Sequence, residues 1–237
     1  MADVELFSFT ACPYAQRSRL VLLEKAIGFE LVEIDLHNRP AWFSEVSPYG
    51  KVPVLRHQGR VVYESAIINQ YVDEAFPDRP LMPADPFGRA QARIWMDYCD
   101  TRYLPAAHRL MVDRESPEKR ATALGKLNEV LRFIEFEGLR KLSDGPYWLG
   151  VRPSLVDFHF LPFFERFAVY VELAGAAWLP ECTRLRSWYD TVASRDSFIA
   201  TRHTLDFHLD QQRRLNALRA QQQQATISAG VPSRPEG

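Results

Sequence analysis

The hydrophobic period of the chain changes at one place, the stretch from Pro77 to Pro86, which holds Pro77, Pro80, Pro83 and Pro86. Before it, runs with apolar residues at every second position alternate with runs of helical period, and after it only the helical period remains. Proline lacks an amide donor and has a fixed φ, so such a cluster continues neither a helix nor a strand. The cluster reads as an extended linker. It predicts an α/β domain over residues 1–78, a linker over 79–87 and an all-helical domain over 88–220, and a chain of 237 residues has room for both domains.

Within the first part, Val4 to Phe9 alternates as a strand does, and Thr10 with Pro13 opens a helix whose Leu20, Leu23 and Ile27 share a face, with Gly28 after it. Phe29 to Leu36 alternates again. Val52 to Arg56 and Arg60 to Tyr63 flank Gln58-Gly59 and predict a hairpin. Glu64 and Ser65 then start a helix carrying Ile67, Ile68, Tyr71, Val72 and Ala75. Beyond the prolines, helical patterns are expected over about 88–111, 117–142, 154–174, 181–194 and 204–219. Ser154-Leu-Val-Asp157 has the spacing of a capping box before the apolar run Phe158 to Phe164. The glutamine run and the small polar residues of 221–237 read as a disordered tail.

Bulk charge narrows the partners. Lys plus Arg total 29 and Asp plus Glu 30, so no net field draws the chain to nucleic acid. Apolar stretches such as Leu20 to Leu23 fall far short of the roughly 20 residues a membrane span needs. Acidic Asp3 and Glu5 stand where a secretory leader would be basic, so a reducing cytoplasm is the expected compartment. The three cysteines, at 12, 99 and 182, are too widely spaced for a disulfide framework or a zinc cluster, and no histidine pair has a metal-binding spacing, so no metal is expected.

Chemistry concentrates in Thr10-Ala-Cys12-Pro13-Tyr14-Ala-Gln-Arg17. It places a thiol where a strand passes into a helix, beside unpaired amides and the positive end of the helix dipole. That setting favours a thiolate and is expected to lower the Cys12 pKa from ~8.5 toward neutrality, making Cys12 the nucleophile. Cys99 and Cys182, inside helical patterns, read as core residues. Residue 15 is alanine, so no neighbouring thiol resolves a mixed disulfide and an external thiol is needed. Val52-Pro53 is a candidate for a cis bond that would expose the Val52 backbone to a peptide-like ligand, although a proline starting an edge strand has the same sequence. Ser65 and the adjacent amides suit a carboxylate, and Glu64 suits an ammonium, although ordinary helix capping asks for the same residues. Trp95, Tyr98, Arg102, Tyr103, Phe163, Phe167 and Tyr170 offer aromatic and cationic surface, and among them Arg102 and Tyr103 are the candidate acceptor contacts.

Taken together, Cys-Pro-Tyr-Ala-Gln-Arg, His-Asn-Arg-Pro-Ala-Trp-Phe, Val-Pro-Val-Leu and Tyr-Glu-Ser-Ala-Ile, in that order, resemble the glutathione transferase superfamily, its omega class in particular. The resemblance implies a thioredoxin-like N-terminal domain, an all-helical C-terminal domain and a homodimer. It also implies glutathione as co-substrate, with a small electrophilic or disulfide compound as the second substrate. It makes Cys12 the residue facing the glutathione sulfur and places Tyr14 at the site. Val52 and Pro53 would meet the cysteinyl part, Glu64 and Ser65 the γ-glutamyl end, and Arg39, where the class carries lysine, the glycyl carboxylate. A chain opening directly on its first strand is more similar to bacterial-type members. The activity implied is thiol transfer of the deglutathionylation, dehydroascorbate-reductase or thioltransferase type. The stretch Tyr63 to Leu104 also resembles non-catalytic relatives that bind a protein partner such as RNA polymerase.

Overall fold

The computed structural model describes residues 3–228. Val4–Ser8 forms β1, which is buried along its whole length at the centre of a four-stranded sheet of order β2-β1-β3-β4. Strand β2 (Glu30–Glu33) lies parallel to β1, β3 (Val54–His57) antiparallel to it, and β4 (Arg60–Tyr63) antiparallel to β3. A parallel β1–β2 pair requires a crossover, and α1 (Pro13–Glu24) supplies it. The expected half-buried β1 is therefore covered on both faces. Its polar members are accommodated one by one: Glu5 pairs across the sheet with Arg56, Nη2 to Oε1 2.6 Å, and Ser8 accepts from Arg19 at 3.4 Å.

The hairpin forms as expected, with Gln58 and Gly59 at φ 50° and 75°, the primed geometry that matches the twist of the strands. A short α2 (Phe43–Val46) precedes it, and α3 (Ser65–Ala75) follows. The proline stretch is fastened down. Buried Lys25, just past α1, donates to Asp73 (2.9 Å) and to the carbonyls of Asp78 (2.9 Å) and Arg79 (3.1 Å). The Asp73 carboxylate in turn accepts from the amides of Leu81 (2.7 Å) and Met82 (3.0 Å).

The rest of the structure is helical. α4 (Pro86–Tyr98), capped by Asp85, and α5 (Leu104–Asp113) are joined by a π-helical turn, Cys99–Tyr103. α6 (Pro117–Phe133) and α7 (Arg140–Leu142) are joined by another, Ile134–Leu139. The expected rods over 88–111 and 117–142 thus each contain one residue insertion that shifts the helical phase, a feature periodicity alone does not register. The 154–174 pattern divides at Arg166 into α8 (Leu155–Glu165) and α9 (Phe167–Ala174), the latter ended by Gly175 at φ 74°. α10 (Thr183–Ala193) and α11 (Asp196–Ile199) complete a compact unit that ends at Arg202. Beyond it, α12 (Leu205–Ser228) includes residues 221–228, so that part of the expected disordered tail is helical, consistent with the good helix propensity of glutamine and alanine. Residues 229–237 of that tail lie outside the described residues.

All of α8 is buried, and its start is held as the sequence predicts. The Ser154–Asp157 capping box is present, with the Ser154 amide and hydroxyl each 2.7 Å from Asp157. The same carboxylate also accepts from the Trp148 amide (2.9 Å) and the Trp188 indole (2.7 Å). Burial pushes the Asp157 carboxyl up, and these four donors oppose the push. Above it, Trp148 stacks on Phe160 at 4.3 Å, and Phe164 on Tyr103 at 4.8 Å. Asp157→Ala would strand several buried donors at once and is expected to destabilise the protein by about 3 kcal/mol or more, read as a lower denaturant midpoint with an unchanged slope.

Candidate functional site

Cys12 sits in the N-cap position of α1, with Pro13 in the first turn, because the chain leaves β1 and turns on a bond from the Cys12 amide to the Phe9 carbonyl (2.9 Å). Its Sγ lies 3.8 Å from the Val52 carbonyl and donates to it, a contact open only to the protonated thiol. Burial pushes the Cys12 thiol up, ahead of the opposing pull of the Ala15 and Tyr14 amides and the charges of Arg166 and Arg19. The expected drop toward neutrality is therefore corrected. The helix terminus acts in the expected direction, but removal of the thiolate from water outweighs it.

The candidates for holding glutathione fall into two groups, one on the Val52 loop and one at the head of α3. Val52 is buried, and the Val52-Pro53 bond is cis. Just before it, Gly50 turns the chain at φ 61°, where a Cβ would come within 2.9 Å of Arg39 Nη1, so this glycine both makes the turn and seats the exposed Arg39 side chain. In the second group, Glu64 holds φ 70°, a conformation unusual for a side-chain-bearing residue, and directs Ser65 into the first turn of α3. Ser65 is buried, and its Oγ accepts from Arg17 Nη1 at 3.4 Å. Tyr14 is 42% exposed and meets Phe163 edge-on at 5.2 Å, at the seam between the sheet domain and the helices.

Arg17 is the residue whose role the sequence did not reveal. Only 1% exposed, it donates to the His159 carbonyl (2.8 Å) and to Asp100 (2.7 Å), contacts Cys99 Sγ at 3.5 Å, and lies over the rings of Tyr14 and Phe163. Asp100 also meets His159 Nε2 at 3.0 Å. Against the upward push of burial, the His159 bond and the Arg17 charge hold Asp100 down at about 2. Burial and then Arg17 hold His159 at about 4, so the ring is neutral near pH 7. The ligand atoms of Cys99, Asp100 and His159 lie within 4.8 Å of one another, a grouping with metal-binding potential, but the guanidinium of Arg17 already supplies their cation. A second unforeseen residue, Arg166, reaches from the α8–α9 junction to the carbonyl of Ala11 at 2.9 Å, beside Cys12. An arginine in a helical pattern carries no mark in the sequence of a contact so far along the chain.

The acceptor pair does not assemble. Tyr103 is fully buried and stacked on Phe164, which makes it core, whereas Arg102 is exposed and bonds the Thr101 carbonyl at 3.2 Å. The π-helical turn sends these neighbours in different directions. Trp95 and Phe167 are core as well, Tyr98 stacks on Phe133 at 4.9 Å, Tyr170 meets Phe167 at 6.2 Å, and Phe163, itself buried, contacts Tyr14.

A family model described as Glutathione S-transferase, N-terminal domain matches residues 6–80, and one described as Glutathione S-transferase, C-terminal domain matches residues 117–191. Glutathione S-transferase U22 of Arabidopsis thaliana is 34% identical over 206 residues, covering 86% of this chain and 92% of that relative. The structure of glutathione transferase Omega 3C from Trametes versicolor is similar at a TM-score of 0.79 and 30% identity, over 86% of this chain and 90% of that one. Rice GST1, solved in complex with glutathione, has a TM-score of 0.79 and 32% identity, over 90% of this chain and 97% of that one.

The state of the thiols is open to direct measurement. Because its pKa is raised, Cys12 should be alkylated by iodoacetamide at a rate that climbs with pH through a midpoint above the ~8.5 of a free cysteine. Burial pushes Cys99 up to about 12 and Cys182 to about 11, so both should stay unmodified in the folded protein. A Cys12 midpoint below 8 would show that the helix terminus wins over burial.

Proposed function

The chain belongs to the glutathione S-transferase family, and from that premise we propose that it is a cysteine-type, omega-like thiol transferase in which Cys12 forms a mixed disulfide with glutathione. The observation that carries this reading is the position of Cys12, which caps α1 and faces the Val52 carbonyl at 3.8 Å, next to the cis Val52-Pro53 bond. In the proposed complex, the cysteinyl part of glutathione pairs with the Val52 backbone as an added strand, beside Pro53. Ser65 and the α3 amides hold the γ-glutamyl carboxylate, Glu64 its ammonium, and Arg39 the glycyl carboxylate, with Tyr14 flanking the sulfur. Arg17 supports this assignment: by donating to Ser65 Oγ it leaves the Ser65 proton free to point at a carboxylate and places a positive charge behind it.

The cycle follows from the site. Pairing of a ligand backbone with Val52 takes the carbonyl that the thiol now contacts, removing a bond that favours the protonated form. The Cys12 thiolate then attacks the glutathione sulfur of a mixed disulfide, or of a thioether next to a carbonyl. A bond forms between the two sulfurs, the old bond from the glutathione sulfur breaks, and the leaving group takes its electron pair and then a proton. A second glutathione thiolate attacks the glutathione sulfur, freeing glutathione disulfide and the Cys12 thiolate. Ala15 stands where a second cysteine would resolve the adduct internally, in keeping with this need for external glutathione. The reading extends to a homodimer in the cytoplasm and to a bacterial-type member of the class.

Intact-mass measurement after treatment with glutathione disulfide is the direct test. One glutathione adduct is expected on the wild type and none on Cys12→Ser, together with loss of turnover of a small glutathionyl disulfide. A wild type with neither adduct nor turnover would remove the catalytic reading in favour of a protein-binding role.

A further inference from the structure

Resting on the thiol-transfer reading of Cys12, we propose that Arg166 is a positioning residue for the nucleophile: its bond to the Ala11 carbonyl holds the peptide that leads into Cys12 and so aims the sulfur. A trans peptide is planar, with its carbonyl and its amide pointing in opposite directions. Both ends of the Ala11–Cys12 peptide are tied. The Cys12 amide donates to the Phe9 carbonyl at 2.9 Å, and the Ala11 carbonyl accepts from Arg166 Nη2, also at 2.9 Å. Held at both ends, the plane cannot swing about the line joining its two Cα atoms. Beyond the side chain, the Cys12 carbonyl accepts from the Gln16 amide at 3.0 Å, the first bond of α1. Cys12 is thereby fixed at φ −82° and ψ 118°.

Two of these three bonds are local, of the kind any entry into a helix makes. The third comes from 155 positions further along the chain, and it is braced. Arg166 Nη1 donates to the Pro162 carbonyl at 2.5 Å and to Gln16 Oε1 at 3.4 Å. Gln16, which is fully buried, donates from Nε2 to Glu165 Oε2 at 2.6 Å and to the Thr201 carbonyl at 3.2 Å. The α8–α9 junction therefore grips the turn at two points, Ala11 before Cys12 and Gln16 after it. Glu165 stands 4.0 Å from Arg166 and matches its charge, so what this side chain brings to Ala11 is a directed bond.

The sulfur depends on that aim from two sides. The Tyr14 and Ala15 amides reach it from the first turn of α1, and the Val52 carbonyl lies 3.8 Å away across the site. A rotated Ala11–Cys12 peptide would carry the sulfur away from both. Attack on a disulfide sulfur needs a near-attack geometry, and small misplacements cost rate. Among the described residues, Arg166 bonds none of those proposed to hold glutathione, so its loss should appear in kcat rather than in KM.

The test pairs amide hydrogen exchange, followed residue by residue by NMR, with turnover of the mixed disulfide of glutathione and 2-hydroxyethanethiol, supplied with glutathione as reductant. Arg166→Met keeps the length of the side chain and removes its donors. It is expected to speed exchange of the Cys12 amide about tenfold and leave the Leu20, Val21 and Leu22 amides of α1 unchanged. It should also lower kcat about tenfold with KM within roughly twofold of wild type. Arg166→Lys, which still reaches the carbonyl, should restore most of both. Arg166→Gln, polar but shorter, should behave as the Met variant does and serves in its place if that variant does not fold. Glu165→Gln combined with Arg166→Met keeps the charge balance, and its kcat should stay low. Recovery of kcat in that double variant would make the effect one of charge and overturn the positioning role. So would unchanged Cys12 exchange and kcat in folded Arg166→Met and Arg166→Gln, or faster exchange throughout α1, and each of these leaves thiol transfer standing. No turnover by wild type, with no glutathione adduct on Cys12, overturns the thiol-transfer reading and the proposal with it.

Discussion

A guanidinium with 1% exposure has to be neutralised and hydrogen-bonded where it lies, and Arg17 satisfies that demand with groups from three directions. Asp100 comes from the π-helical turn after α4, the His159 carbonyl from α8, and Ser65 from the head of α3. Arg17 itself belongs to α1, one turn beyond Cys12. The cation that joins the sheet domain to the helices is thus carried on the helix whose first turn presents the thiol. Asp100 is 38% exposed, so solvent screens that ion pair, and it is the bonds of Arg17 taken together, including the one to the His159 carbonyl, that hold α1 against α8. The proposed site, with Cys12, Val52 and Ser65 on the sheet domain and Phe163 and Arg166 on the helices, needs that restraint, because its two sides are far apart in sequence.

Much of this arrangement was readable from the chain because it rests on local rules. The change of period at Pro77–Pro86 separates sheet from helices, the Gln58-Gly59 pair adopts positive φ and closes a hairpin, and the spacing of Ser154 and Asp157 makes a capping box. Where the reading missed, the cause was a long-range contact or a change of phase. The π-helical turns move residues around the helix axis, so Tyr103 lies in the core and Arg102 on the surface. Residues 221–228 were read from composition, which ranks glutamine with disorder, although the same residue has good helix propensity. No spacing rule connects Arg17 to Asp100 across 83 positions or Arg166 to Ala11 across 155.

At the proposed chemical centre the sequence indicated the forces that favour a thiolate but not the balance among them. A cysteine at a helix start does receive amides and positive charge, and here it receives them from Tyr14, Ala15, Arg166 and Arg19. What the sequence does not show is how much water the fold removes. Cys12 is enclosed between the α1 turn and the Val52 loop, and Phe9, Val32, Leu36 and Val46 also pack on the core beside it. Desolvation acts on the thiolate alone, so it can outweigh several favourable contacts at once.

Under the proposed thiol-transfer reading, that balance suits a site that is to react only when occupied. A permanently ionised thiol at this position would be open to any oxidant in solution, since reactivity follows thiolate character and exposure. Burial holds the proton on, while the Ala15 and Tyr14 amides and two arginines pull it off, so a change in these contacts shifts the outcome. Loss of the Val52 carbonyl as a thiol acceptor is such a change, because it removes a bond that only the protonated form makes.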